Sequence, residues 1–127
     1  MVLPPNRIQI RCKRVYEPAA ESDGTRVLVD RLWPRGLSRK EAAVDRWLRE
    51  LSPSTELRRW YGHDPALWEE FRRRYALELS QQKEAFDGLL HLCREGPVSL
   101  LYGSRERERN NAEALKEVIL ERAQREG

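Results

Sequence analysis

The chain has 127 residues and a mass of 15.0 kDa, which suits one domain with a single core. Apolar residues make up 39% and charged residues 35%, and four Trp with a steady supply of Leu and Val remain to be buried, which excludes a disordered chain. The 24 Lys and Arg face 21 Asp and Glu for a formal charge of +3, a mixed surface that falls short of the lopsided basic excess usual among nucleic-acid binders.

The opening Met1-Val2-Leu3-Pro4-Pro5 lacks the basic segment and long apolar stretch of a signal peptide. No run approaches the ~18 apolar residues needed to cross a bilayer. Cys12 and Cys93 are isolated thiols in apolar patterns and not a disulfide framework. The expected location is the cytoplasm.

In chain order, Ile8, Ile10 and Cys12 alternate with Gln9, Arg11 and Lys13, the period of a half-buried strand. Glu21-Ser22-Asp23-Gly24 marks a turn before a second strand, Arg26 to Asp30, whose Val27-Leu28-Val29 run fits a strand covered on both faces. Ser38 and Glu41 have the spacing of a capping box, and Val44, Trp47, Leu48 and Leu51 then fall on one helical face. Ser52-Pro53-Ser54 separates that helix from a shorter one with Leu57, Trp60 and Tyr61, closed by Gly62. Asp64-Pro65 caps a helix that buries Trp68, Phe71 and Tyr75 and exposes Arg72, Arg73 and Arg74. Phe86, Leu89, Leu90 and Cys93 mark the next helix, stopped by Gly96-Pro97. Val98 to Tyr102 is a third strand, and after the polar stretch 103–109 a last helix carries Ala112, Leu115, Val118, Ile119 and Arg122.

The pattern predicts an α/β fold: one compact domain over residues 1–127 with a small, mainly parallel three-stranded sheet flanked by helices. The long helical excursion between strands two and three is a crossover, so those strands run parallel and end on the same edge. Open α/β sheets place their sites at that edge. The segment Asp30 to Gly36 therefore faces the segment Gly103 to Asn111.

The pieces RVLVDRLWPRG, SPSTELRRWYGHDP, WEEFRRRY, GPVSLLY and NNA, with IRCKRVY near the start, resemble in this order the YeaO-like branch of the domain of unknown function 488 family. The likeness runs over nearly the whole chain. It implies no assigned activity. Names attached to some relatives, transcriptional regulator and porphyrin methyltransferase, find no helix-turn-helix signature here and little room for a methyltransferase domain. Relatives in this branch often carry a His just before the paired asparagines, where this chain has Arg109, so the resemblance implies no acting histidine there.

Three places could carry chemistry. Asp30, Arg31 and Arg35 can form an anion receptor in which the carboxylate orients an arginine and the planar guanidinium groups bind oxyanions bidentately. Their plainer reading is an ion pair that staples the loop, with Trp33 as core and Pro34 as stiffener. Ser104, Arg105, Asn110 and Asn111 lead into a helix N-terminus, which attracts anions, or else form an ordinary cap after a solvated charge run. His63 beside Asp64 can carry a proton, although Asp64 is already explained as a cap.

Other chemistries lack their residues. His91 and Cys93 point to different sides of a helix and no second pair completes a metal set, so no metal is expected. The Walker loop, a cysteine-phosphatase loop and GxSxG are absent, and no cofactor is implied. The expected function is binding of a small, phosphate-bearing anion at the ends of strands two and three. Arg31, Arg35 and Arg105 hold it, Asp30 orients an arginine, and Ser104 and Asn110 give polar contacts. Asp30 and His63 are the proton carriers if a reaction follows. The alternative is a non-enzymatic module that binds nucleic acid or protein through arginine-rich helical faces, Arg58-Arg59 and Arg72 to Arg74, with no membrane partner.

Overall fold

A computed structural model describes residues 7–126, so the Met1 to Pro5 stretch read above for a leader lies outside the described residues. The elements are strand β1 (Ile10–Arg14), strand β2 (Thr25–Leu28), the short helix α1 (Arg39–Ala42), strand β3 (Arg46–Trp47), helices α2 (Thr55–Tyr61), α3 (Trp68–Ser80) and α4 (Lys83–Glu95), strand β4 (Val98–Tyr102) and helix α5 (Asn111–Glu126). The strands form one sheet in the order β1-β4-β2-β3, and every pairing is parallel. The mixed α/β architecture and the parallel β2–β4 pair are as expected. The sheet has four strands and not three.

The fourth strand replaces part of an expected helix. Continuation from Ser38 through Leu51 would have suited the 3.6-residue period, but α1 stops at Ala42 because Arg26 takes its last carbonyls. The Arg26 guanidinium donates from Nη2 to the Ala42 oxygen at 2.9 Å and from Nε to the Ala43 oxygen at 2.9 Å. Ala43 then turns left-handed at φ 50°. The Asp45 N–H donates to the Arg26 carbonyl at 2.9 Å and the Asp45 carboxylate accepts from the Arg26 N–H at 2.9 Å, which lays the next residues alongside β2. Trp47 and Val44 consequently pack on one face of the sheet, and Leu48 and Leu51 on the other.

The main core lies between the sheet and helices α2 to α5. Val27, Val98 and Leu100 from the strands meet Leu57 of α2, Phe71 and Tyr75 of α3, Phe86 and Leu89 of α4, and Leu115 and Ile119 of α5, all buried. The central position of β4 explains why its five residues are buried without alternation. Among the described residues, the buried apolar side chains of the opposite face are Val15, Leu28, Ala42 and Leu101, covered by Trp33, Leu37, Val44 and Trp47. No helix of the described residues is long and apolar enough to cross a membrane. Cys12 and Cys93 are free thiols.

This thin second face also buries an ionic cluster. The Asp23 carboxylate accepts from Arg26 Nη1 at 2.6 Å, from Lys13 Nζ at 3.0 Å and from the Ala20 N–H at 3.0 Å. Burial pushes the Asp23 carboxyl up, but these donors outweigh it and hold the group below the ordinary range. Next to it Gly24 has φ 64°, and a Cβ there would stand 2.1 Å from the Pro97 carbonyl oxygen, which accepts the Thr25 N–H and sets the β2–β4 register.

Two outcomes are expected from urea denaturation. Gly24→Ala lowers stability by about 2–4 kcal/mol, because both the left-handed conformation and the approach to Pro97 oppose a side chain. Asp23→Asn costs roughly 3 kcal/mol at neutral pH by leaving Arg26 buried without its counter-charge. Since the folded-state Asp23 value is depressed, its contribution is complete above the unfolded value of about 3.9 and is lost as pH falls through the folded one, and the variant lacks this acid sensitivity.

Candidate functional site

Parallel pairing of β2 and β4 brings the chain after each strand to one edge, and Asp30 joins them there. Its Oδ2 accepts the Gly103 N–H at 2.8 Å, and its Oδ1 accepts from Asn111 Nδ2 at 3.1 Å. The same Asn111 amide donates to the Val29 carbonyl at 3.0 Å, and Trp47 Nε1 donates to the Asp30 carbonyl at 2.8 Å. One aspartate therefore ties the ends of β2 and β4, the first turn of α5 and strand β3. Burial pushes the Asp30 carboxyl up; the Gly103 N–H, the Asn111 amide and the Arg58 charge oppose this only in part, so the group stays above the ordinary range.

Above this clamp lies a cleft of about 330 Å³. Arg31 and Leu32 enter it from the loop after β2, and Ser104, Asn110 and Asn111 from the β4–α5 segment. The wall opposite is α2 with its flanking turns: Pro53, Thr55, Arg58, Arg59, Tyr61 and His63, backed by Phe71 of α3. Ser54 fixes the start of α2 by accepting the Leu57 N–H at 3.1 Å, and Gly62 closes it at φ 53°. Tyr61 stacks on Phe71 with ring centroids 4.4 Å apart and donates its hydroxyl to the Arg109 carbonyl at 2.8 Å, which binds α2 to the β4–α5 segment. Asn110 caps α5 by accepting the Glu113 N–H at 3.0 Å.

Charge is unevenly arranged around this space. No Asp or Glu is among the lining residues. Arg31, Arg58 and Arg59 form no ion pair and no side-chain hydrogen bond with any described residue. On α3, by contrast, Arg73 and Arg74 both contact Glu70, at 2.6 and 2.9 Å, and Arg72 pairs with Glu69 and Glu117. The arrangement can receive an oxyanion through guanidinium forks beside a helix N-terminus.

The three segments singled out in the sequence thus meet at one place, although not all their residues do. Arg31, His63, Ser104 and Asn110 line the cleft, and Asp30 lies beneath it. Arg35 and Arg105 are exposed outside the lining, and Arg35 contributes its carbonyl as acceptor for the Tyr16 hydroxyl at 2.9 Å. The Asp30 carboxylate does not hold an arginine by hydrogen bond; its bonds go to Gly103 and Asn111. Ser104 Oγ accepts the Glu106 N–H at 2.9 Å and shapes its own loop. His63 is exposed with φ 58°, and no hydrogen bond joins it to Asp30. Among the described residues no group of three His, Cys, Asp or Glu could hold a metal ion.

Arg58 and Arg59, which the sequence places on an arginine-rich helical face and not in the anion site, line the cleft. The available signal was helical spacing: with Leu57 and Tyr61 inward, Thr55, Arg58 and Arg59 share the face at i, i+3 and i+4. What turns that face toward β2 and β4 is the Tyr61–Arg109 bond, which no local pattern encodes.

Residues 9–127 match the model of the family described as the inactive DUF488-N3 subclade. The chain belongs to that subclade. It is 41% identical over 112 residues to the uncharacterized protein YeaO of Escherichia coli K12, covering 88% of this chain and 97% of that one. It is 37% identical over 111 residues to the uncharacterized proteins Mb3100c of Mycobacterium bovis and Rv3073c of Mycobacterium tuberculosis, covering 87% of this chain and 93% of each. No solved structure matches. In this member of the DUF488-N3 subclade, Arg109 gives its carbonyl to Tyr61 and approaches Glu106 with its side chain at 3.8 Å.

Asp30→Ala leaves the Gly103 N–H and the Asn111 amide without their acceptor. The expected result is a stability loss of about 1–3 kcal/mol and faster hydrogen exchange at the Gly103 amide, read by NMR.

Proposed function

We propose that the cleft binds a small phosphate-bearing anion, held by Arg31, Arg58 and Arg59 with the first turn of α5 and with Ser104 as a polar neighbour. The observation that carries this is the convergence of three guanidinium groups without carboxylate partners on a space that no acid lines. In a chain with 21 acids, such a gap is what an anionic ligand fills. Leu32, 70% exposed at the rim, offers the body of the ligand an apolar contact. Arg35 and Arg105 add positive charge at longer range.

The neutralised arginines of α3 favour this reading over one in which the helical faces grip a macromolecule. The site is read as a binding site with no reaction assigned. Asp30 is engaged with Gly103 and Asn111, His63 is exposed at the rim, and the subclade is described as inactive. We infer a cytoplasmic setting, which the two free thiols support.

The test is a thermal-shift screen with nucleotides, sugar phosphates, inorganic phosphate and sulfate on the wild type and on Arg58→Ala/Arg59→Ala. A ligand that raises the wild-type Tm is expected to bind the double variant at least about 10-fold more weakly, from the loss of charge-assisted hydrogen bonds. Arg73→Glu should leave the shift unchanged. The reading fails if nothing shifts the wild type, or if the folded double variant responds as strongly.

A further inference from the structure

The second face of the sheet carries a feature that the cleft does not use. Trp33, Leu37, Val44 and Trp47 cover that face, carried by the loop after β2, the short α1 and the edge strand β3. Trp33 and Trp47 meet there edge to face, with centroids 5.3 Å apart and planes at 65°. Their indoles are pinned by Nε1 bonds of 2.8 Å to the carbonyls of Leu37 and Asp30. Guanidinium groups lie over both rings: Arg39 is 4.6 Å from the Trp33 centroid and 5.9 Å from that of Trp47, and Arg49 is 3.7 Å from Trp47.

Charge reinforces the pattern. Segment 31–49 holds six Lys and Arg against two acids. Arg31 lines the cleft and Arg46 stands in register with Val27 on the main-core side, which leaves Arg35, Arg39, Lys40 and Arg49 for this face. Both acids serve the backbone. Glu41 accepts the Ser38 N–H at 2.9 Å in the α1 capping box, and Asp45 accepts the Arg26 N–H at 2.9 Å. Arg35, Arg39, Lys40, Arg46 and Arg49 are exposed, and none pairs with a carboxylate of a described residue. The near-neutral total charge conceals a basic face.

We propose that this face binds single-stranded nucleic acid, with phosphates on Arg35 and Lys40 and bases stacked on the Arg39–Trp33 and Arg49–Trp47 pairs. Shielding of the indoles from water accounts for Arg39 and Arg49 alone. It leaves unexplained the two further cations, Arg35 and Lys40, which no carboxylate of a described residue pairs. An acidic peptide would meet the charge but has no planar groups for the two stacks. A duplex needs a protruding helix or ribbon to enter its groove, and α1 is four residues long and lies on the sheet. Unstacked bases fit flat cationic plates beside a phosphate track.

Fluorescence anisotropy with labelled DNA and RNA strands of about 20 nucleotides, at 50 and 200 mM salt, tests this. The wild type should bind at 50 mM, and affinity should fall about 10-fold or more at 200 mM, whichever strand chemistry is preferred. Arg39→Glu/Arg49→Glu should weaken binding at least 10-fold, and Arg73→Glu/Arg74→Glu, an equal change of charge, less than threefold. If the first pair does not fold, Arg35→Glu/Lys40→Glu replaces it with the stacks intact and should also weaken binding at least 10-fold. No binding at 50 mM, equal losses in all folded pairs, or displacement of the strand by polyglutamate as readily as by unlabelled strand would overturn the proposal.

Discussion

A half-buried carboxylate at the end of β2 holds this edge of the molecule together. Asp30 accepts from the chain after β4 and from the first residue of α5, and its carbonyl accepts from the Trp47 indole. Without those bonds the loop after β2 would have no fixed relation to the start of α5, and the cleft would lose one wall. Its elevated proton affinity reflects the same burial that makes the clamp rigid. The Arg58 charge acts on this carboxylate, so the clamp and one cation of the cleft attract each other. The clamp thus serves both the geometry and the electrostatics of the cleft.

The arginines fall into distinct physical situations. Arg26 is buried and structural, shaping both the Asp23 cluster and the end of α1. Those of α3 are matched to glutamates one turn away or across to α5, as solvated helices usually arrange them. Those around the cleft and over the two indoles lack carboxylate partners. A count of charges cannot separate these groups. Their positions relative to Glu70, Glu117, Asp45 and Glu41 do.

What could be read in the chain follows from how local the cause is. The buried run Val98 to Tyr102, the Gly96-Pro97 stop and the apolar spacing of α4 and α5 are local, and each element lies where the pattern placed it. The β2–β4 adjacency followed from the length of the crossover, and with it the meeting of the Asp30 and Gly103 segments. The helix expected to run on from Ser38 failed because the group that ends it, Arg26, is a strand residue more than a dozen positions earlier. Arg58 and Arg59 escaped for a similar reason: a hydroxyl 48 residues from its acceptor orients their helix. Trp47 and Leu48 satisfy either a helical or a strand period, and only neighbours distant in sequence decide between them.

Strand β3 is two residues long and lies at the edge of the sheet. An edge offers unpaired backbone groups to any extended chain that meets it, and longer edges recruit copies of themselves into growing assemblies. Here the chain leaves the edge almost at once, into a tight turn at Arg49–Leu51, and a charged residue, Arg46, occupies half of what remains. On that side the parallel sheet is closed to further growth by brevity and charge, which favours solubility in a protein whose second face is so thinly covered.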